Sequence, residues 1–370
     1  MKVKLGDYVL MVQEREVLKK VDTSKYVSTE NILADRNGVK FPANTIPLSK
    51  TITTYKKDDI LISNIRPYFK KIWKAEFDGP KSNDVIAFRT KDSRLLQDYL
   101  YVVLQSDNFF NYVTNTAKGT KMPRGDKKAI INYEFELPNI QLQRKISHTI
   151  LVLEKKIRLN NQINDNLVEL INLIYLKFCA DFPAKEKVSL DDVFNTSTKT
   201  FNVNENKNIN IWHFSIPNFD CNKQPQCEST NSIKSNKKKV NSFGVLVSKL
   251  NPNFKRIWAP NLDFYSNYSP IASPEFIQIN GNSQEEQALI FCILNSEEYT
   301  DFLVSNTTGS TNSRQRVKPK IAVSYIIPFD LDKKKGLESL VSPILKEIQQ
   351  REFENTKLQI IKDTVLNKYF

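Results

Sequence analysis

The chain is written twice, and this limits its fold more than any other feature. Leu61-Ile-Ser-Asn-Ile-Arg-Pro-Tyr-Phe-Lys-Lys-Ile-Trp73 matches Leu246-Val-Ser-Lys-Leu-Asn-Pro-Asn-Phe-Lys-Arg-Ile-Trp258, with Pro67 and Pro252 standing 185 residues apart. Leu5-Gly-Asp7 matches Leu190-Asp-Asp192 at the same offset. Further on the offset becomes 190: Leu104-Gln-Ser106 matches Leu294-Asn-Ser296, Gly119-Thr120 matches Gly309-Ser310, and Pro138 matches Pro328. The period is half of the 370 residues, so this is a duplicated domain rather than a solenoid of short repeats. Each copy, roughly 140 residues, is long enough to bury a core of its own.

Within each copy the hydrophobic period changes in the same order. Asp59-Ile-Leu-Ile-Ser63 and Asp84-Val-Ile-Ala-Phe88 alternate like strands. An amphipathic helix is predicted near Leu95–Val113 and again near Gln287–Val304. A polar, basic loop follows, then a strand ending at Pro138 or Pro328. After each proline comes a heptad helix. The first seam is Ile146, Ile150, Leu153, Ile157, Asn160, Asn164, Leu167, Ile171, Ile174 and Phe178. The second is Leu337, Val341, Ile344, Ile348, Arg351, Asn355, Leu358, Lys362, Val365 and Tyr369, each member 191 residues further on. Both seams turn polar at their centres, Asn160/Asn164 and Arg351/Asn355, which suits a register device in which antiparallel helices bring the polar centres together. The expected architecture is α+β: two similar globular domains separated by two long antiparallel coiled-coil helices, related by a pseudo-two-fold internal repeat. The expected bounds are 1–138, 139–184 for the central helix, 185–332, and 333–370 for the C-terminal helix.

A formal charge of +13 and a pI near 9.3 point to a polyanionic partner, nucleic acid first. Four cysteines without a CxxC spacing and only two histidines, His148 and His213, argue against a zinc site or a disulfide framework. No apolar run reaches membrane-spanning length, and Met1–Val12 does not read as a signal peptide, so a cytoplasmic protein is expected.

The layout resembles the specificity subunit of type I restriction-modification systems. The resemblance is carried by Lys4-Leu-Gly-Asp7, Tyr26-Val-Ser-Thr-Glu-Asn31, Asp59-Ile-Leu-Ile-Ser63 with Arg66-Pro67, Ser82-Asn-Asp84, Gly119-Thr-Lys-Met-Pro-Arg124, and Leu137-Pro-Asn-Ile-Gln-Leu-Gln143 leading into the heptad helix. The second half departs from this pattern at Ile327-Pro-Phe-Asp-Leu-Asp332 and Ser310-Thr-Asn-Ser-Arg-Gln-Arg-Val-Lys318. The resemblance implies two target-recognition domains, each reading one half of a split site in double-stranded DNA. It also implies helices that set the spacing and dock two methyltransferase subunits, with translocating endonuclease subunits joining that core.

The candidate DNA contacts follow from chemistry. Lysine neutralises phosphate, while arginine also makes paired bonds to guanine. In the first copy the basic candidates are Arg66, Lys70 and Lys71, then Lys121, Arg124, Lys127 and Lys128. In the second they are Lys255 and Arg256, then Arg314, Arg316 and Lys318. Ser63, Asn64, Thr120, Asn312 and Gln315 are candidates for base edges or phosphates. The recurring aromatics Trp73/Trp258 and Phe69/Phe254 suit core positions, and Lys237-Lys-Lys239 reads as a basic loop.

No catalytic role is expected. Asn251-Pro-Asn-Phe254 approaches the tetrapeptide of adenine methyltransferases, but Arg66-Pro-Tyr-Phe69 takes its place in the first copy, and no Gly-x-Gly turn stands ready for S-adenosylmethionine. Asp126-Lys-Lys128 has no convincing acidic partner for nuclease chemistry, and no phosphate-binding glycine loop is present. No cofactor or metal is therefore expected. A stand-alone methyltransferase or endonuclease and a non-specific DNA-binding scaffold remain the alternatives.

Overall fold

Alternating side chains place one central sheet between two apolar layers in each half of the chain. In the first half the strands Val9–Val12, Val85–Thr90, Ile60–Ser63 and Ile72–Lys74 lie in that order, all antiparallel. Ile60, Ile62, Ile72, Ile86 and Phe88 point to one face, where they pack with Tyr99, Val103 and Phe110. Leu61, Trp73, Val85 and Ala87 point to the other, against Val27, Ile32 and Tyr55. With both faces covered, these strands are apolar almost without interruption. A second sheet pairs Thr51–Tyr55 with Arg15–Val17 and Gly79–Lys81.

The structure is a computed structural model that describes residues 1–20, 22–45, 49–196, 198–309 and 315–370. It divides into two units, Met1–Lys156 with Leu358–Phe370, and Ile157–Lys357. The second repeats the same alternation on Ile257–Trp258, Gly244–Ser248 and Phe276–Asn280. Val245, Val247, Ile277 and Ile279 face the helices, and Leu246, Trp258 and Phe276 face the opposite layer. That layer rests on a five-stranded sheet in which Asn210–Phe214 and Ser269–Ala272 run parallel.

The expected single helix in each copy is two. Gln97–Gln105 and Asp107–Asn115 break at Ser106, and Gln284–Asn295 and Glu297–Ser305 break at Ser296. Each serine leaves helical geometry and caps the following helix, accepting from Phe109 N at 3.2 Å or Tyr299 N at 3.1 Å. Lys237–Lys239 is a strand rather than a loop, and Lys237 is buried with its ammonium on Ser235. Trp73 and Trp258 are core residues, but Phe69 and Phe254 are exposed, at 39% and 63%. Their recurrence reflects a repeated surface turn, not a repeated core position.

The long helices run from Ile140 to Asp181 and from Lys334 to Tyr369. Asn139 caps the first, accepting from Leu142 N at 2.9 Å. Gln143 then ties its first turn to the domain, donating to Arg94 O and Pro138 O and accepting from Leu96 N. In the first unit, Ile146 and Ile150 share a core with Leu366, and Lys362 pairs with Glu154 at 2.7 Å. In the second, Asn160 donates to Asn355 Oδ1 and Glu354 Oε2, both at 2.8 Å, while Asn164 reaches Ile348 O at 3.4 Å. Rising numbers on one helix meet falling numbers on the other, so the two segments are antiparallel within each unit. Arg351 does not join the polar centre: it turns back to Glu347, one helical turn away, at 2.6 Å. A guanidinium reaches a same-helix carboxylate at the edge of the seam without the desolvation that the interior imposes.

Candidate nucleic-acid interface

In each unit the candidate residues fall on a strand-to-turn junction and on the basic loop laid over it. In the first, Ser63 ends the strand Ile60–Ser63, and Arg66 takes a left-handed φ of 50° that turns the chain into Pro67–Phe69. The loop is anchored by Arg66 N donating to Pro123 O at 2.8 Å and Gly125 N donating to Asn64 O at 3.0 Å. Gly125 is required there, because a Cβ would stand 2.8 Å from Asn64 Oδ1. Lys118 and Arg124 exchange both backbone hydrogen bonds, at 2.8 and 2.9 Å, so residues 119–123 project as a tip.

The second unit builds the same foundation from different residues. Asn251 has φ 46° and donates to Gln315 O at 2.9 Å, and Val317 N donates to Lys249 O at 3.0 Å. Thr308 and Arg316 exchange their backbone bonds at 2.8 and 3.0 Å. Asn312 and Arg314 lie outside the described residues.

Burial sorts the candidates. Ser63 is 3% exposed and donates to Ile65 O at 3.1 Å; its counterpart Ser248 donates to Leu250 O at 3.0 Å. Both hydroxyls serve the turn. Asn64 is buried as well, its backbone N donating to Asp84 O at 2.8 Å. Lys70 binds Asp107 at 2.6 Å, and Lys255 binds Glu297 at 2.7 Å; each acid opens the helix after the serine break. Lys71 donates to Thr29 O, and burial holds its ammonium below the usual lysine range. Arg256 forks onto Asp220 at 2.5 and 2.8 Å.

Arg66, Thr120, Lys121, Lys127, Lys128 and Lys318 are exposed, and Gln315 is half-buried. Lys127 and Lys128 open a short helix whose cap, Asp126, accepts from Lys128 N and pairs with Lys118 at 2.6 Å. Beneath them Lys81 is buried, donating to Val85 O at 2.9 Å, and burial, with Lys127 nearby, pushes it down to about 8. Arg124 and Arg316 are half-exposed and each touches one acid, Asp84 or Glu275. The exposed set is a cationic, donor-rich surface around each tip, with Tyr68 and Met122 beside it in the first unit. Such a surface suits phosphate and base edges. The recurrence of Ser63 as Ser248, and of Lys70 as Lys255, was the available sign that these are framework residues.

Among the described residues, no group of three or more His, Cys, Asp or Glu could hold a metal ion, and no helix is long and apolar enough to cross a membrane.

Residues 10–169 match the model of the type I restriction modification DNA specificity domain. The specificity subunit of the type I restriction enzyme HindI from Haemophilus influenzae is 27% identical over 139 residues, 36% of this chain and 30% of that protein. The chain thus matches under a third of that relative's length. Over its whole length the chain is similar in fold to the crystal structure of a type I restriction-modification S subunit from M. genitalium. The TM-score is 0.57 at 14% identity, covering 100% of this chain and 96% of the other.

Proposed function

We propose that this chain, whose residues 10–169 match the type I restriction modification DNA specificity domain, is the DNA-recognition subunit of a type I restriction-modification complex. Each domain reads one half of a bipartite site in double-stranded DNA. The long helices set the interval between the half-sites and dock two methyltransferase subunits. The restriction subunits, which translocate and cut, join through that core. The chain itself is non-catalytic and works in the cytoplasm.

One observation carries this reading: the same loop foundation is built twice, and the tips it presents differ in length and sequence. A protein that reads two different half-sites needs a constant frame and variable reading residues. Exposed lysines supply sequence-independent affinity, and the tips supply hydrogen-bonding groups.

The test is co-expression with adenine methyltransferase subunits from the same genome, followed by mapping of methylated adenines. A single bipartite motif is expected, dependent on this chain. Methyl transfer by the purified chain alone, with S-adenosylmethionine, would contradict a non-catalytic role.

A further inference from the structure

Both units keep one ion pair at the foot of the loop. Arg124, whose backbone closes the first loop, reaches Asp84 at 3.3 Å; Arg316, whose backbone closes the second, reaches Glu275 at 3.2 Å. The side-chain exposures also match, 57% and 35% in the first pair against 50% and 32% in the second. The residues between these feet do not match in length or sequence: 119–123 in one, 309–315 in the other.

The acids sit on fixed backbone. Asp84 O accepts from Asn64 N at 2.8 Å, and Glu275 O accepts from Lys249 N at 3.0 Å. The next carbonyl in each case takes a lysine ammonium: Lys81 on Val85 O at 2.9 Å, and Lys238 on Phe276 O at 3.5 Å. These lysines come from different strands. The residue 191 after Lys81 is Ala272, and Lys238 is the cross-strand neighbour of Ala272. The ammonium has changed strands and kept its carbonyl. So the acid, the arginine and the support beneath them persist where the tip sequences diverge.

A carboxylate beside a surface meant for phosphate lowers affinity by like-charge repulsion. Its presence in both units calls for a role other than affinity. We propose that Asp84–Arg124 and Glu275–Arg316 are matched latches, positioning pairs that hold each tip in the register in which it discriminates its half-site. The arginine is engaged by the acid and not by a base. The half-site part rests on the function proposed above; the latch itself is a property of the chain alone.

The experiment compares wild type, Asp84→Asn and Glu275→Gln, both near-isosteric and half-exposed, so the fold stands without the pair. In the purified full chain, amide exchange at Arg124 and Gly125 is expected to rise about fivefold in Asp84→Asn, the size for a pair of this exposure. Exchange at Arg316 and Val317 should rise alike in Glu275→Gln, each without effect on the other loop. In the methyltransferase complex, Asp84→Asn should admit miscognate bases in one half-site only, and Glu275→Gln in the other only. Unchanged exchange in both loops overturns the latch. So does a uniform gain in DNA binding with an unaltered motif, which marks the acids as mere repulsive charges. An Arg124→Lys variant that changes one base preference while Asp84→Asn changes none assigns Arg124 to reading instead. A wild-type complex that methylates no bipartite site contradicts the proposed function, and the exchange data still judge the latch.

Discussion

Lysines on this chain do two kinds of work, and their partners tell them apart. Lys70 and Lys255 are tied to the acids that open a helix, and Lys71 to a backbone carbonyl. Lys121, Lys127 and Lys128 are exposed and have no acidic partner among the described residues. Replacing these three with alanine should weaken DNA binding at all sequences and reduce the slope of log affinity against log salt by about one for each lysine that meets a phosphate. Lys70→Ala should leave that slope unchanged and lower the melting temperature slightly, as a part-exposed pair is worth about 0.2–1 kcal/mol. Binding titrations across a salt series, beside melting curves, check both; a fallen slope in Lys70→Ala contradicts the division. The sequence marks all these lysines equally, because charge is visible in it and the partner is not. Repetition was the better guide for Ser63/Ser248 and misleading for Phe69/Phe254, where what repeats is a left-handed turn that leaves the ring outside.

Helices carry the most legible part of the design. The heptad spacing announces the seam, and Ile146, Ile150, Asn160, Asn164, Ile171 and Phe178 are all buried as it requires. The breaks at Ser106 and Ser296 were visible too, as serine followed by an acid, but a continuous apolar face hid them. In the seam, Asn160→Leu alone should cost about 1–3 kcal/mol, because it strands the amide oxygen of Asn355 in the interior. The double change Asn160→Leu, Asn355→Leu should recover most of that loss, since apolar pairs replace buried polar ones at little cost. Denaturant melts of the single and double variants decide it; additive losses contradict the pairing. Next to this seam a cavity of about 180 Å³ is lined by Asn164, Lys223, Leu345, Ile348 and Glu352. Burial pushes the Glu352 carboxyl up to about 7, with Lys223 opposing. An acid raised in the folded state favours folding below its unfolded pKa, and that contribution is lost as pH rises through the folded value. Melting temperature should therefore fall between about pH 4.5 and 7 in wild type relative to Glu352→Gln. Parallel curves across that range would contradict a buried, titrating carboxyl.

At the scale of the whole molecule the duplication is the governing fact. It was readable from Pro67/Pro252 and Trp73/Trp258, and it surfaces in the structure as two sheets with the same alternation and two loops with the same feet. The outer sheets were not readable. Among the described residues three strands serve the first unit and five the second, with one parallel pair, because short strands such as Lys237–Lys239 carry charge where a strand pattern wants apolar residues. Divergence is therefore concentrated in the outer layer and the tips, around a constant frame. The most direct test of the account exploits that frame: residues 1–138 are replaced by the corresponding domain of a relative with a different motif, and methylated adenines are mapped in the resulting complex. One half of the bipartite motif should change to the donor's and the other should stay as in wild type. A complex that is active but changes both halves together, or neither, would contradict a chain in which each domain reads its own half-site.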